Sequence, residues 1–204
     1  MATVIRSATF VTSSAKFSQL PAPDLPEYAF IGRSNVGKSS LINMIVSRRG
    51  LAKISTNPGK TQTINHFLIN DSWYLVDLPG YGYARRSQKM RAEWDRLFTT
   101  YVTKRENLIS LFLLIDSRHE PMATDLAFME RLATAGVPFA RVFTKSDKVP
   151  AKVAGKNRAL HDRAMLERWE SLPPTFITSA TKGTGRDELL EYISGNMIFF
   201  KREK

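Results

Sequence analysis

Residues 28–39 read YAFIGRSNVGKS, an apolar run that leads directly into a glycine-rich loop. The loop matches the pattern G-x-x-x-x-G-K-[ST], with Gly32, Gly37, Lys38 and Ser39 in the required places. The apolar run predicts a strand and the following LINMIVSRR predicts a helix, which is the context that a phosphate-binding loop needs. We expect Lys38 to reach the β and γ phosphates and the Ser39 hydroxyl to bind Mg²⁺. The alternative is a glycine turn that only caps a helix.

Outward from this loop, short apolar segments alternate with helical stretches. Strands are predicted at 28–32, 65–70, 72–77, 108–116, 137–145 and 175–180, and helices at 38–48, 89–104, 122–135, 151–170 and 186–199. Strands of this kind between helices are typical of a sheet buried on both faces. Asn70-Asp71 predicts a tight hairpin, so its two strands are expected to be antiparallel neighbours. The predicted fold is α/β, a P-loop NTPase of the Ras-like G-domain type. Its central sheet is six-stranded and mostly parallel, with one antiparallel edge strand and helices on both faces.

The length of 204 residues predicts one domain. Residues 1–27 are expected to form an N-terminal edge strand and lead-in, 28–200 the G domain, and 201–204 a basic tail. Because the chain has no cysteine, disulfides and thiolate chemistry are excluded, and a cytoplasmic location is expected. The longest apolar run, 108–115, is too short to cross a bilayer, so we expect no membrane partner.

The chain is strongly basic, with 30 Lys and Arg against 19 Asp and Glu, a net charge of +11. Such a surplus favours a polyanionic partner, either nucleic acid or a ribonucleoprotein. Charge alone supports a basic enzyme without such a partner equally well, since no cluster forms a recognisable nucleic-acid module.

Two later segments predict recognition of guanine. TKSD at 144–147 ends an apolar strand, and the Asp147 carboxylate can accept hydrogen bonds from N1–H and the 2-amino group of guanine, which adenine lacks. Lys145 can lay its alkyl stem over the base, and Thr144 can bond the phosphate loop through its hydroxyl. In ITSA at 177–180, Ser179 is expected to steady the turn and the Ala180 N–H to meet guanine O6.

Two segments between these motifs are expected to face the γ phosphate. Asp77 ends the strand SWYLVD and is predicted to hold Mg²⁺ through a water, while the Gly80 N–H senses the γ phosphate. The polar segment NPGKTQTINHF offers a threonine hydroxyl for Mg²⁺ once GTP is bound. We choose Thr61 as the Mg²⁺ ligand. The spacing of the motifs does not exclude Thr56 or Thr63.

The motifs GRSNVGKSSLIN, NPGKTQTINHF, VDLPGYGYA, TKSDK and TSA follow one another across nearly the whole chain. Together they resemble the EngB (YihA/YsxC) GTPases of the TrmE-Era-EngA-EngB-Septin group. The resemblance implies a Ras-like protein that binds GTP and GDP with Mg²⁺ and hydrolyses GTP slowly. We expect the protein to be a monomer. It also implies a partner, the large (50S) ribosomal subunit or its precursor with rRNA and ribosomal proteins, and a role in ribosome biogenesis. Members are also linked to cell division and septation.

Carried over position by position, the resemblance places the nucleotide contacts on 24 residues, counted from the sequence. They are Gly32, Arg33, Ser34, Asn35, Val36, Gly37, Lys38, Ser39, Gly59, Lys60, Thr61, Gln62, Thr63, Asp77, Leu78, Pro79, Gly80, Thr144, Lys145, Ser146, Asp147, Thr178, Ser179 and Ala180. Mg²⁺ is expected on Ser39 and Thr61, and on Asp77 through a water.

Tyr81 follows the DLPG motif, where Ras-type switches carry a glutamine. A phenol cannot donate to the γ phosphate and accept from the attacking water at once, and it is a poor base at neutral pH. No catalytic residue is assigned, and slow turnover is expected. Two groups could take over the role of the missing glutamine. One is K⁺ beside the phosphates with Asn35 as a ligand. The other is a group of the partner, positioned by the segment containing Arg85 and Arg86.

Two other functions compete with a GTPase switch. A P-loop ATPase or nucleotide kinase would show no preference for guanine, and TKSD with TSA argues against it. A nucleotide-independent RNA-binding protein that keeps a relic loop would bind its partner equally well after substitution of Lys38.

Overall fold

The computed structural model of the protein describes residues 4–48, 50–52, 63–82 and 87–200, which form one seven-stranded sheet flanked by helices. The strands are β1 (Ala8–Ser14), β2 (Glu27–Gly32), β3 (Ile64–Ile69), β4 (Trp73–Asp77), β5 (Leu108–Asp116), β6 (Phe139–Thr144) and β7 (Thr175–Ile177). The helices are α1 (Lys38–Ile45), α2 (Gln88–Lys104), α3 (Ala123–Thr134), α4 (Ala151–Leu166) and α5 (Arg186–Asn196). The strand order is β1-β3-β4-β2-β5-β6-β7.

The sheet confirms the predicted α/β fold, and its seventh strand is β1, an edge strand that lies within residues 1–27, where an N-terminal edge strand was expected. β4, β2, β5, β6 and β7 are parallel, whereas β3 is antiparallel to both β1 and β4. The sequence predicted six strands with the antiparallel strand at the edge. That strand lies one position further in, because β1 pairs with the outer side of β3 and satisfies backbone groups that an edge strand leaves open.

The hairpin between β3 and β4 forms as predicted and also holds the N-terminal segment. Asn70 and Asp71 have φ values of 50° and 51°, the left-handed conformation that a tight two-residue hairpin turn requires. The Asn70 side chain accepts hydrogen bonds from the backbone N–H groups of Arg6 and Ser7, at 2.7 and 3.1 Å. The turn therefore helps to place β1 beside β3.

Two apolar layers cover the two faces of the sheet. On one face, Phe30 and Phe112 stack with ring centroids 4.7 Å apart and pack with residues of α1 and α5. On the other face, Ile31 and Leu113 pack with residues of α2 and α3, including the fully buried Leu132. Neighbouring residues of one strand enter opposite layers, which is why the strands read as continuous apolar runs.

A buried ionic cluster ties the start of β2 to β3 and to the end of α2. The Glu27 carboxylate, which is fully buried, accepts hydrogen bonds from Arg105 at 2.5 Å and Tyr101 at 2.9 Å and lies 3.0 Å from His66 Nε2. Burial alone would raise the pKa of Glu27, but the hydrogen bonds and charges of His66 and Arg105 outweigh burial and lower it from 4.5 to about 2. Arg105 also donates to the Pro21 carbonyl, so the lead-in joins the cluster.

Element ends differ from the predicted ones by a few residues. α4 ends at Leu166, short of the predicted 170, and β7 ends at Ile177, so that 178–180 form a loop. The N–H and the hydroxyl of Thr178 both donate to the Phe143 carbonyl, which holds the start of this loop against β6. In the part of the chain that the structure describes, no helix is long and apolar enough to span a membrane.

Candidate nucleotide-binding site

The phosphate loop connects β2 to α1 and has the geometry that the sequence predicted. Gly37 precedes the first residue of α1 with a φ of 102°, a conformation that favours glycine. Lys38 and Ser39 therefore lie in the first turn of α1, where backbone N–H groups lack partners within the helix. Asn35 is exposed and has a φ of 63°. The N-terminus of α1 can therefore receive a phosphate group.

Lys38 and Asp77 connect this loop to the end of β4. Lys38 Nζ donates to Asp77 Oδ1, and both side chains are largely buried, at 12% and 8% exposed. Burial lowers the pKa of Lys38 to about 7, and the adjacent carboxylate acts in the opposite direction because it favours the charged ammonium. The ammonium group predicted to bind phosphate therefore lies next to the carboxylate predicted to hold Mg²⁺.

The DLPG loop after β4 packs directly against the phosphate loop. The Leu78 and Tyr81 N–H groups donate to the carbonyls of Phe30 and Gly32, at 3.0 and 3.2 Å. A Cβ atom on Gly80 would lie only 2.7 Å from the Gly32 carbonyl oxygen, so only glycine fits here without a backbone shift. Trp94 of α2 donates to the Pro79 carbonyl at 3.0 Å and fixes the loop from its other side.

Tyr81 is turned into the protein. Its ring stacks on Phe128 of α3 at 4.2 Å between centroids, and its hydroxyl donates to Asp125 Oδ1 at 3.0 Å. Burial raises the pKa of both Tyr81 and Asp125. The phenol is engaged as an anchor, which agrees with the expectation that Tyr81 does not replace a catalytic glutamine.

Thr144 and Lys145, at the end of β6, hold the phosphate loop from the base side. The Thr144 hydroxyl donates to the Val36 carbonyl at 2.6 Å, which confirms the predicted bond to the loop. Lys145 Nζ donates to the Asn35 carbonyl at 2.6 Å and to Asp116 at 2.9 Å. The Lys145 stem therefore lies along the loop, where it can cover one face of a base.

The segments at 144–147 and 178–180 form one joined surface. The Ser146 N–H donates to the Thr178 carbonyl at 3.1 Å, and the Ser179 hydroxyl donates to Asp147 Oδ1 at 2.7 Å. The hydrogen bond from Ser179 lowers the pKa of Asp147 to about 2, so the group is a carboxylate at neutral pH. Ser179 Oγ also accepts the Lys182 N–H at 3.2 Å, as expected for a residue that steadies the turn.

The structure brings the described members of the predicted site together at the carboxyl ends of β2, β4, β6 and β7, where open α/β sheets bind ligands. Thr63 precedes β3, which begins beside the end of β4 because Asn65 pairs with Asp77, and the Thr63 hydroxyl accepts a hydrogen bond from Ser13 of β1 at 2.7 Å. The remaining predicted residues lie outside the described part of the chain: Thr56, Gly59, Lys60, Thr61, Gln62, Arg85, Arg86 and the tail 201–204.

Sequence reasoning missed three residues that build the site. Asp116 accepts from Lys145 and, at 2.9 and 2.8 Å, from Arg118. Burial would raise the pKa of Asp116, but Arg118 and Lys145 lower it to about 2. Asp116 could have been found from the sequence, because it is an acidic residue at the end of an apolar strand, as Asp77 is at the end of β4. Asp125 and Trp94 had no such signal, since both lie within helices and contact the loop only in the folded chain.

The residues that could hold Mg²⁺ fit that ion in type. Ser39 supplies a hydroxyl in the first turn of α1 and Asp77 a carboxylate at the end of β4, and Mg²⁺ prefers such oxygen ligands together with substrate phosphates. Among the described residues no group of three or more His, Cys, Asp or Glu could hold a metal ion.

Comparison with protein families identifies the class. The family model described as 50S ribosome-binding GTPase matches residues 27–145, more than half of the chain and most of the loops described above. Fold and site therefore define a GTPase of the ribosome-binding group, and the alternatives of an ATPase or nucleotide kinase are not supported.

Individual relatives narrow the class further. The chain is 56% identical over 189 residues to an EngB GTP-binding protein of Porphyromonas gingivalis, covering 93% of this chain and 94% of the relative. It is 53% identical over 191 residues to that of Christiangramia forsetii, covering 94% and 96%. The protein belongs to the EngB family of GTP-binding proteins.

Solved structures support the fold. A GTP-binding protein engB matches with a TM-score of 0.64 at 19% identity, covering 85% of this chain and 100% of the other. Era in complex with MgGDPNP and a 16S ribosomal RNA fragment matches with a TM-score of 0.66 at 22% identity, covering 85% and 57%. These likenesses confirm the predicted Ras-like fold.

Proposed function

We propose that this protein is a slow GTP-hydrolysing switch that acts in assembly of the large (50S) ribosomal subunit. The observation that carries the nucleotide part is the bonding of Thr144 and Lys145 to the phosphate loop, which joins a base-recognition segment to a phosphate-binding one. The ribosomal part rests on the family description and on the net charge of +11, which suits a polyanionic partner.

The Asp147 carboxylate is the proposed guanine reader, together with the Ala180 N–H. Asp147→Asn replaces one acceptor oxygen by a donor, which suits the 2-oxo group of xanthine and opposes the 2-amino group of guanine. We expect GTP affinity to fall at least about tenfold and affinity for xanthosine triphosphate to rise. Asp187→Asn, an exposed change at the start of α5, is the matched control. Unchanged GTP affinity in Asp147→Asn, or a preference of the wild type for ATP, contradicts the proposal.

The phosphates and Mg²⁺ are assigned to the other loops. Lys38 would bind the β and γ phosphates, the Gly80 N–H the γ phosphate, and Ser39 and Thr61 the ion, with Asp77 acting through a water. When bound, Mg²⁺ neutralises charge that develops on the phosphates. Ser39→Ala should weaken GTP binding in the presence of Mg²⁺ and leave binding in excess chelator unchanged, a difference that calorimetry measures.

Slow hydrolysis follows from the position of Tyr81, whose hydroxyl is bonded to Asp125. We propose that efficient GTP hydrolysis requires an additional catalytic group, either K⁺ held with the help of the exposed Asn35 or a group from the ribosomal partner. Equal hydrolysis rates in K⁺ and Na⁺ would exclude the first of these. Stimulation by purified 50S subunits would support the second.

Association with ribosomal particles is the central test. Cell extract is sedimented with GDP or with a non-hydrolysable GTP analogue, and the protein is expected with large subunits or their precursors in the GTP-like state. Absence from these fractions in both states refutes the assembly role. If Lys38→Ala co-sediments as well as the wild type, the protein is an RNA binder that does not depend on nucleotide.

We propose a cytoplasmic monomer that contacts rRNA and ribosomal proteins, with any effect on cell division and septation following from ribosome supply. The proposed division is an N-terminal lead-in at 1–27, a G domain at 28–200 and a basic tail at 201–204. Light scattering after size-exclusion chromatography tests the monomer, and a stable dimer contradicts it.

A further inference from the structure

We propose that the outer face of α4 is a contact surface for the RNA phosphate backbone. Three cations, Lys152, Lys156 and Arg163, lie on this face and are exposed. With 3.6 residues per turn, positions i, i+4 and i+11 fall within about 40° around the helix axis and span about 16 Å along it. We call these three residues the α4 basic stripe. The inference rests on the proposed ribosomal function and deepens it.

The opposite face of α4 fixes the orientation of the stripe. Asn157, His161 and Met165 are buried there, and Asn157 Nδ2 donates to the Ser117 carbonyl at 2.9 Å. These contacts hold the helix against the sheet, so Lys152 and Arg163 face outward without rearrangement. A surface that is already ordered loses little entropy on binding.

The acidic groups near α4 leave the stripe largely uncompensated. Asp162 is the one acidic residue within the helix, and it forms an ion pair with the buried Arg141 at 2.7 Å. The exposed Glu167 follows the last residue of α4, one turn beyond Arg163. Lys156 pairs with Glu120 at 3.2 Å, but both side chains are more than 60% exposed, so the pair is weak and can exchange for a phosphate. Neither Lys152 nor Arg163 forms an ion pair with any described residue.

The residues between the cations favour RNA over a membrane. Gly155 and Ala159 lie on the exposed side of α4 beside the cations, and a Cβ atom on Gly155 would meet nothing within 4 Å. Two large apolar residues of α4 are also exposed, Val153 at 40% and Leu166 at 51%. They lie about 140° apart around the helix axis, so they form no common apolar face. Small side chains let a phosphate backbone approach closely, whereas a helix that binds lipid needs bulky apolar groups to insert. Arginine and lysine are the side chains that bind phosphates in RNA complexes.

The stripe is remote from the γ-phosphate sensor. β6, which precedes α4, lies three strands away from β4, whose end carries Gly80. The structure thus separates a phosphate-backbone contact from the loop expected to distinguish GTP from GDP. We expect α4 to bind RNA equally in both nucleotide states, so that it supplies general affinity while nucleotide-dependent loops supply regulation.

The test compares two triple variants of the full-length protein. One replaces the stripe, as Lys152→Gln, Lys156→Gln and Arg163→Gln. The control removes the same charges from exposed positions elsewhere, as Lys16→Gln, Arg96→Gln and Lys104→Gln. Binding to a short RNA duplex is measured by fluorescence anisotropy between about 50 and 200 mM salt. Binding to purified 50S subunits is measured by sedimentation with GDP and with a GTP analogue.

Loss of three phosphate contacts should reduce the slope of log affinity against log salt by about 2 to 3. Over that fourfold salt range, wild-type affinity should fall about 15- to 60-fold more than that of the stripe variant. The control variant should keep a steeper slope than the stripe variant, and GTP affinity and melting temperature should match the wild type in both.

Equal weakening of the two variants overturns the proposal, because only total charge would then matter. A stripe variant that keeps RNA binding but loses binding to phosphatidylserine vesicles overturns it in favour of a membrane. If the wild type fails to bind 50S subunits, the proposed function is wrong, and the RNA duplex still decides whether the stripe binds a phosphate backbone.

Discussion

Replacement of Glu27 by glutamine should destabilise the protein strongly, although Glu27 lies at the opposite end of β2 from the phosphate loop. The substitution keeps the shape of the side chain and removes the charge that faces Arg105, which is only 8% exposed. The pKa of Glu27 is about 2 in the folded protein and 4.5 as its reference value. At 1.36 kcal/mol per unit, this difference corresponds to about 3 kcal/mol at neutral pH, and loss of one partner from a buried ion pair typically costs about 3–5 kcal/mol.

The stabilisation that Glu27 contributes should decrease as the pH falls. Because the folded-state pKa is lowered, the stabilisation is present in full above pH 4.5 and is lost as the pH falls from 4.5 towards 2. Glutamine does not titrate in this range. The difference in unfolding free energy between wild type and Glu27→Gln should therefore shrink by about 1.4 kcal/mol between pH 7 and pH 3.5.

Urea unfolding at several pH values measures this difference, and at neutral pH the melting temperature should fall by about 6–12 °C. Asp95→Asn is the control, since Asp95 is 57% exposed and pairs with Arg131 on the surface, where such pairs contribute about 0–1 kcal/mol. GDP affinity at low temperature should be unchanged in both variants. A loss below about 1 kcal/mol for Glu27→Gln, or a loss that does not vary with pH, would refute the reasoning.

Two further predictions concern the DLPG loop. Tyr81→Phe removes the bond to Asp125 and should lower the unfolding free energy by about 1–3 kcal/mol. It should leave single-turnover GTP hydrolysis unchanged, whereas a large drop in rate would make Tyr81 catalytic. Gly80→Ala places a Cβ atom 2.7 Å from the Gly32 carbonyl and should weaken GTP more than GDP in competition with a fluorescent nucleotide. In contrast, Gly155→Ala in α4 meets nothing within 4 Å and should raise stability by up to about 1 kcal/mol. If Gly80→Ala keeps the wild-type ratio of GTP to GDP affinity, the assignment of Gly80 to the γ phosphate is wrong.

The sequence predicted which loops would lie next to one another, because the residues concerned are at fixed places in a parallel sheet. Asp77 and Thr144 end apolar strands and Gly37 lies in the loop after one, and the carboxyl ends of parallel strands meet at one edge. Once the strands were assigned, their loops had to converge. The hydroxyl bond from Thr144 to Val36 could be predicted for the same reason.

Other features depend on contacts between residues far apart in sequence. Glu27 meets His66 and Arg105 across 39 and 78 positions, and Tyr81 meets Asp125 across 44. A buried acid within a helix or at a strand start gives no periodic signal, because its partner is known only after the elements have packed. The place of β1 beside β3 escaped prediction for the same reason.

Under the proposed function, the two halves of the site have different tasks. The base side is braced by direct bonds within the protein, from Lys145 to Asn35 and from Ser179 to Asp147, and these bonds do not involve the γ phosphate. Contacts of this kind bind GTP and GDP equally and cannot shift the balance between two conformations. Discrimination must therefore come from Gly80 and the segment around Thr61. Lys145→Ala should accordingly weaken GTP and GDP by the same factor, whereas Gly80→Ala should change their ratio. A changed ratio in Lys145→Ala would show that the base side also takes part in switching.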